Sequence, residues 1–252
     1  HEHTCTCNHS HDGNNECGST KPELQSKYAQ AFSKFNLHLH DEIVQEEVKH
    51  LIATHYEENN TKEVMTFLFS TIEMTSLKVT DNEESILRLV ENINSFCNEN
   101  PTFPHPAGIC IYPRFVDIVS NSLEVEGMEI STVCGGFPSS QTFPEIKTVE
   151  TALAIKDGAT EIDTVLPLGF FLAEDYDTVF NEIDEIKLSC GDEIPLKVIL
   201  EAGALQTAVA TKKAAILAIY SGADYIKTST GKIEPGATLP SVYTMCQTIK
   251  EY

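Results

Sequence analysis

The chain has 252 residues, of which 38 are acidic and 17 basic, and its formal net charge is −21. Such a charge repels nucleic acids and anionic membrane surfaces, so we expect neither as a partner. No apolar run approaches the roughly 20 residues that a membrane-spanning helix needs, and no stretch resembles a signal peptide. We therefore expect a cytoplasmic enzyme or binding protein with one large core.

Residues 1–20 are rich in histidine and cysteine. They hold four histidines and three cysteines among small polar residues, with almost nothing apolar. Because such a segment cannot pack a core, we predict a disordered tail. Its composition is also compatible with Zn²⁺ or Cu⁺ binding, although the spacing matches no structural zinc module. Metal buffering by this tail is a separate hypothesis, independent of the rest of the chain.

Residues 21–69 are predicted to form helices that precede the main domain. Two apolar stripes recur with a helical period. The first comprises Tyr28, Ala31, Phe32 and Phe35, and the second comprises Ile43, Val44, Val48, Leu51 and Ile52. These helices must cover an apolar surface elsewhere, for which a barrel end and a second subunit are the two candidates.

From residue 70 to the last residue the pattern alternates between strands and helices. Strands are predicted at 70–77, 107–112, 130–134, 161–166, 196–200 and just before Lys227. Each is followed by a helical segment, and six such units indicate a parallel sheet with helical crossovers. Because no strand leads into G-x-G-x-x-G and ionisable groups occur in several strands, we favour a (β/α)₈ TIM barrel, with six of its βα units present, over a doubly wound sheet.

Ionisable residues interrupt four of these strands, although strands buried on both faces are typically apolar. Glu73 lies in the first strand, Asp163 in the fourth, Lys197 in the fifth and Lys227 in the sixth. A lone charge in a strand is usually a satisfied core ion. Several charges that converge on one barrel interior favour a functional site instead.

Lys227 is the predicted nucleophile. A lysine in a low-dielectric interior loses hydration, so its pKa falls and the neutral amine can attack a carbonyl group to form an imine. Lys197, a like charge in the adjacent strand, is expected to lower the pKa of Lys227 further. Asp163 is expected to carry protons during imine formation. The simpler alternative is that Lys227 extends its ammonium group to solvent.

A small, polar segment follows Lys227. Thr230 and Gly231 precede a second lysine, Lys232. Backbone N–H groups, a hydroxyl group and one positive charge together suit a phosphate group. We therefore predict a phosphate contact here, with an ordinary surface lysine as the alternative.

Four segments resemble the deoxyribose-phosphate aldolases, which are class I aldolases with a (β/α)₈ barrel. They are AGICIYP at 107–113, EIDTVLP at 161–167, LKVILE at 196–201 and YIKTSTGK at 225–232. The resemblance extends from about residue 70 to the last residue. It implies reversible cleavage of 2-deoxy-D-ribose 5-phosphate to acetaldehyde and D-glyceraldehyde 3-phosphate, without a metal or an organic cofactor.

The same resemblance assigns roles to individual residues. It matches Lys227 to the Schiff-base lysine, Asp163 to the proton-relay aspartate and Lys232 to a phosphate contact. Cys110 matches a cysteine near the site, where core packing is the alternative role. Glu73 stands where the family has the shorter aspartate, and we count it among the substrate-binding residues.

The family also has two further βα units, one of which carries a second catalytic lysine, whereas this sequence stops at Tyr252. Eight units of about 30 residues that start at residue 70 would end at about residue 310, so we expect the natural chain to continue. The leading hypothesis is a class I aldolase, compatible with a homodimer. The alternative is a non-catalytic sugar-phosphate-binding relative without the full proton relay, and trapping with acetaldehyde separates the two.

Overall fold

A computed structural model describes residues 24–252, with side chains from Tyr28 onward. The predicted tail at residues 1–20 lies outside the described residues. Within this range three helices precede the first strand, namely α1 (Leu24–Ser33), α2 (Asp41–Asn59) and α3 (Lys62–Phe69). Thr61 begins α3 by accepting a hydrogen bond from the N–H group of Val64, which satisfies one of the free donors in the first turn.

Six strands then alternate with helices, as the sequence pattern predicts. The strands are β1 (Glu73–Thr75), β2 (Gly108–Ile111), β3 (Glu129–Cys134), β4 (Glu161–Val165), β5 (Leu196–Ile199) and β6 (Tyr225–Lys227). The helices are α4 (Glu83–Glu99), α5 (Val116–Ser122), α6 (Pro144–Lys156), α7 (Leu168–Leu172), α8 (Tyr176–Cys190), α9 (Ala202–Leu205), α10 (Ala208–Tyr220) and α11 (Leu239–Glu251). A 3₁₀ turn at Pro113–Phe115 leads into α5.

The six strands form one parallel sheet in chain order, from β1 to β6. In its register, Asp163 of β4 pairs with Lys197 of β5, and Ile199 of β5 pairs with Lys227 of β6. The sheet is strongly curved, as shown by a hydrogen bond between its first and last strands. The ammonium group of Lys227 on β6 donates to the Glu73 side chain on β1. The α/β fold class is confirmed, with six of the βα units that build a (β/α)₈ barrel.

Side-chain alternation divides each strand between two environments. In β4 and β5, Ile162 and Val198 belong to the hydrophobic core shared with the helices, where Ala214 and Leu217 of α10 are also buried. Asp163 and Lys197, at the alternate positions, lie on the other face. The core therefore lies between the sheet and its helices, and the concave face of the sheet is left for ionisable groups.

Two predicted elements have different boundaries in the structure. β1 is shorter than the predicted strand at 70–77, because Thr71 and Ile72 donate backbone hydrogen bonds to the last residues of α3 in a turn. The helical segment predicted after the fourth strand corresponds to α8, which begins at Tyr176, and a turn separates it from α7, a short helix that was not predicted. Asp175 ends the intervening turn and caps α8 by accepting a hydrogen bond from the N–H group of Thr178, at 3.3 Å.

The N-terminal helices lie on the outer helical layer. Phe32 of α1 packs edge-on against Tyr176 at the start of α8, with 5.3 Å between ring centroids. Helix α2 lies against α11 and buries Val44. Asp41 at the start of α2 accepts a 2.7 Å hydrogen bond from the N–H group of Ala208, the first residue of α10. These contacts connect α1 to α8, and α2 to α10 and α11.

Within residues 24–252, no helix combines the length and the apolar character needed to cross a bilayer. Five cysteines in this range are free thiols, and three of them are buried. The buried ones are Cys110, Cys134 and Cys190.

Candidate active site

Ionisable side chains from four strands meet on the concave face of the sheet. We call this group the ion cluster. It consists of Glu73 on β1, Glu161 and Asp163 on β4, Lys197 on β5 and Lys227 on β6. Asp163 and Lys197 are register partners, and Glu161 lies two residues before Asp163, so strand alternation places all three on one face. The four residues predicted to meet are therefore brought together.

Lys227 lies at the end of β6 between two carboxylates. Its Nζ donates to Oδ2 of Asp163 at 2.5 Å and to Oε2 of Glu73 at 2.9 Å. The Lys227 side chain keeps 32% of its surface exposed, whereas Asp163 is fully buried. An amine at the open end of a strand is accessible to a small molecule, and a carboxylate at hydrogen-bond distance can exchange a proton with it.

Lys197 is held more deeply and by more partners. Its Nζ contacts Oε2 of Glu161 at 2.5 Å and also Oε1 of Glu73. It donates to Oγ of Ser131 at 3.1 Å, and Ser131 donates in turn to Oδ1 of Asp163 at 3.1 Å. Only 9% of the Lys197 side chain is exposed. Lys197 is therefore a fixed positive charge that is buried more deeply than Lys227.

The predicted lowering of the Lys227 pKa is wrong. Burial lowers the pKa of Lys227, but the charges of Asp163 and Glu73 together outweigh burial and raise this pKa above its ordinary value. The pKa of Lys197 is raised in the same way, since Asp163, Glu161 and Glu73 offset the effect of burial. Three carboxylates surround two ammonium groups, so repulsion between the lysines does not dominate the site.

The carboxylates respond differently to the same cluster. Burial raises the pKa of Glu73, but the charges of Lys227 and Lys197 outweigh it, so this pKa lies below its ordinary value. Burial raises the pKa of Glu161 above its ordinary value despite the contact with Lys197. Glu73 therefore keeps its charge to lower pH than Glu161, the other glutamate that contacts Lys197.

Cys110 on β2 is fully buried beside the cluster. Burial, reinforced by the Asp163 charge, raises the pKa of the Cys110 thiol to about 12. One donor atom each from Glu73, Cys110 and Asp163 lie within 4.8 Å of one another, a spacing that a metal ion could share. Both carboxylates already bind lysine ammonium groups, and a thiol with this pKa is a poor metal ligand. The donor set therefore fits ion pairs better than a metal ion.

The segment after β6 turns back toward β5 and β1. Oγ1 of Thr230 donates to Oε2 of Glu201 at 2.5 Å, and the Thr230 N–H group donates to Oε1 of Glu201 at 3.2 Å. The Lys232 N–H group donates to Oγ1 of Thr230 at 3.0 Å, and Lys232 Nζ donates to the carbonyl oxygen of Leu77 after β1. Gly231 has a φ of +73°, and a Cβ built on it would meet no described heavy atom within 4 Å. Contacts with Glu201 and Leu77 therefore hold this loop, whereas the side of Gly231 on which a Cβ would lie is open.

Three site residues were missed by sequence reasoning. Ser131 is a small polar residue in a buried strand, Glu161 lies two residues before Asp163 on β4, and Glu201 lies two residues after the end of β5. The two-residue spacing of Glu161 and Asp163 was a usable signal, because such residues share a strand face. The other two became evident only through their contacts across strands.

The chain is similar to known aldolases over most of its length. A model of the DeoC/LacD family of aldolases matches residues 71–252. A curated relative from Caenorhabditis elegans, named "Putative deoxyribose-phosphate aldolase", is 37% identical over 185 residues, which cover 72% of this chain and 60% of the relative. The chain thus spans about three fifths of the length of that relative.

Solved structures agree with this relationship. The aldolase QR15 is 30% identical, with a TM-score of 0.64 over 72% of this chain and 76% of its own. A tetrameric deoxyribose phosphate aldolase from Aeropyrum pernix is 28% identical, with a TM-score of 0.63 over 73% of this chain and 74% of its own. The family match covers every strand that contributes to the ion cluster, and the chain belongs to the DeoC/LacD family of aldolases.

Proposed function

We propose that this protein is a class I aldolase that reversibly cleaves 2-deoxy-D-ribose 5-phosphate to acetaldehyde and D-glyceraldehyde 3-phosphate, with Lys227 as the imine-forming lysine. The carrying observation is the partly exposed Lys227 ammonium group, 2.5 Å from Oδ2 of the buried Asp163. Family membership supports an aldolase, and the pairing of an accessible amine with a buried proton acceptor supports imine chemistry.

Proton transfer is the first requirement of this mechanism. Because the pKa of Lys227 is raised, its resting form is the ammonium ion, and the ammonium must lose a proton before Nζ attacks the substrate carbonyl carbon. Asp163 is the acceptor in reach. The resulting carbinolamine loses water to give an iminium ion, and protonation of the departing hydroxyl group by Asp163 assists that loss.

Carbon–carbon cleavage follows from the positive iminium nitrogen. A base removes the proton of the C3 hydroxyl group, the C2–C3 bond breaks and D-glyceraldehyde 3-phosphate leaves. The bonding electrons move onto the iminium system to form an enamine. Protonation at C2 and hydrolysis then release acetaldehyde and return the amine. Every step uses acid–base and covalent chemistry of the chain, so the proposal invokes no organic cofactor or metal ion.

The remaining residues have supporting roles in the proposal. Lys197 stabilises the charges of Asp163 and Glu73, both of which contact Lys227. Glu73, which contacts Lys227, is proposed to contact the substrate as well, and Cys110 is proposed to line the same space as a neutral thiol. Lys232 and Gly231 are proposed to hold the substrate phosphate, and Thr230, which donates both its hydroxyl group and its N–H group to Glu201, is proposed to hold their segment in place. A homodimer and a cytoplasmic location stay predictions.

Imine trapping tests the proposal directly. Incubation with acetaldehyde and borohydride should add an ethyl group to the peptide that contains Lys227. The Lys227→Met variant should lose the label, whereas Lys197→Met should keep it on Lys227. A label on Lys197 would reverse the roles of the two lysines. Absence of any label, together with binding of the sugar phosphate, would favour the non-catalytic relative.

A further inference from the structure

Glu201 is a buried carboxylate that the proposed reaction does not use. It follows β5, and its backbone φ is +55°. This is a left-handed conformation that residues other than glycine adopt at a steric cost. Only 1% of its surface is exposed. A strained backbone and a buried charge at one residue persist only when surrounding contacts hold them in place, and such residues concentrate at functional sites.

The backbone hydrogen bonds on either side of Glu201 explain the orientation of its side chain. The Leu200 N–H group donates to the Lys227 carbonyl oxygen, and the Ala202 N–H group donates to the Thr228 carbonyl oxygen, each at 2.8 Å. The two donor residues are two positions apart, whereas the two acceptor residues are adjacent in sequence. The segment after β5 therefore contains one more residue than the segment it pairs with, as at a β-bulge. Glu201 is the additional residue. The bulge directs its carboxylate toward the loop after β6.

The Glu201 carboxylate and Thr230 form a chain of hydrogen bonds that ends at Lys232. Oε2 accepts from the Thr230 hydroxyl group at 2.5 Å, and Oε1 accepts from the Thr230 N–H group at 3.2 Å. The hydroxyl oxygen also accepts from the Lys232 N–H group at 3.0 Å. Since the hydroxyl group has only one hydrogen, Thr230 cannot donate it to a phosphate at the same time. Its role is to connect Glu201 to Lys232.

We infer that Glu201 is a positioning residue, which holds the loop Thr228–Lys232 in the shape that favours phosphorylated over unphosphorylated substrates. The inference rests on the proposed aldolase function. Glu201 orients the backbone through Thr230, so that the open side of Gly231 and the charge of Lys232 are available to the phosphate. An unphosphorylated sugar does not need this loop, so its turnover does not depend on Glu201.

The test compares two sugars in matched variants. Glu201→Gln keeps the size of the side chain but cannot accept both Thr230 hydrogen bonds with its amide. We expect the KM for 2-deoxyribose 5-phosphate to rise about 10-fold, with kcat within about threefold. The kcat/KM for 2-deoxyribose should stay within about twofold. Lys232→Ala provides the reference for loss of the phosphate contact.

Asp224→Asn is the matched control. Asp224 also connects β5 and β6, since it accepts a hydrogen bond from the Leu196 N–H group at 2.8 Å, but it does so at the opposite ends of the same strands. This variant should leave the ratio of the two sugars unchanged. In a Thr230→Val background, Glu201→Gln should add less than about a twofold effect, because both act through one hydrogen-bonded chain.

Equal losses for both sugars in Glu201→Gln, or an unchanged KM for the phosphorylated sugar, would overturn the inference. If Glu201→Gln does not fold, Thr230→Val alone must reproduce the selective loss.

Calorimetric titration with inorganic phosphate separates the inference from the proposed function. If the protein cleaves neither sugar, but Glu201→Gln binds phosphate about 10-fold more weakly than the unmodified protein, the proposed function is refuted and the inference stands. Equal phosphate affinities would refute the inference.

Discussion

Lys227 and Lys197 carry the same charge within one cluster, yet their surroundings suit different tasks. Lys227 contacts two carboxylates and remains partly exposed, whereas Lys197 contacts three carboxylates and a hydroxyl group and is almost fully buried. A nucleophile must reach the substrate, and a structural charge need not. Access therefore distinguishes the two lysines more clearly than the direction of their pKa shifts, which is the same for both.

Asp163→Asn should lower turnover by at least about 10²-fold, because it removes the proton acceptor at 2.5 Å from Lys227 Nζ. The shape of the side chain is kept, so the circular dichroism spectrum should match that of the unmodified protein. Steady-state cleavage of 2-deoxyribose 5-phosphate measures the effect. Undiminished turnover in a correctly folded variant would remove Asp163 from the mechanism.

Glu73→Gln should shift the pH dependence of imine trapping toward lower pH. Glu73 is one of the carboxylates that raise the pKa of Lys227, so its neutralisation lowers that pKa and makes the free amine available at lower pH. The rate of ethyl labelling, measured against pH, reports this shift. Glu161→Gln is the control, because Glu161 contacts Lys197, and should give a smaller shift. An unchanged or higher midpoint in Glu73→Gln would contradict the assignment.

At the scale of elements, a buried ion pair joins α6 to α8. Lys147 of α6 is only 1% exposed, and its Nζ lies 2.7 Å from Oε2 of Glu182 on α8. The same Nζ donates to Oγ of Ser140 at 2.6 Å, in the segment between β3 and α6. One ammonium group thus connects two helices and a loop. Buried pairs of this kind are costly to break by removal of one partner.

Glu182→Leu should destabilise the protein by about 3–5 kcal/mol, because it leaves the Lys147 ammonium group buried without its counterion. The double variant Lys147→Met, Glu182→Leu should recover most of this loss, since apolar side chains of similar volume can replace a buried pair. Urea unfolding of both variants measures the difference. A double variant as unstable as the single one would show that packing, rather than the unpaired charge, causes the loss.

At the scale of the whole molecule, a net charge of −21 acts against the folded state. Like charges repel more strongly in a compact chain than in an unfolded one. The positive charges of the ion cluster are paired locally, so they do little to relieve repulsion across the surface. An anionic substrate must therefore be attracted by local contacts near Lys227 and Lys232, against the field of the whole protein.

Added salt should stabilise this protein at neutral pH. Raising NaCl from about 0.1 M to about 1 M shortens the screening length from about 10 Å to about 3 Å, which weakens surface repulsion. We expect Tm to rise by roughly 2–4 °C, which corresponds to about 1 kcal/mol. The same series near the isoelectric point serves as the control and should show a smaller rise. A Tm that falls with salt at pH 7 would contradict this account.

Sequence patterns were enough to predict the order of the six βα units and every residue of the ion cluster except Glu161. Strand and helix periodicities are local properties, so the six βα units were predictable, and side-chain alternation placed Asp163 and Lys197 on one face. The motif around Lys227 indicated both an amine and a loop suited to phosphate. The late start of β1 and the separate helix α7 were not predicted, because turns set them.

Which charges form pairs depends on contacts between residues that are distant in sequence. Glu73 and Lys227 are 154 residues apart, and their contact depends on the curvature of the whole sheet. The pKa of Lys227 follows the sum of burial and all nearby charges, so one neighbouring lysine in sequence could not give its direction. The Glu201–Thr230 pair likewise depends on how the segments after β5 and β6 pair with each other. Local patterns supply the groups, and long-range packing sets the field in which they act.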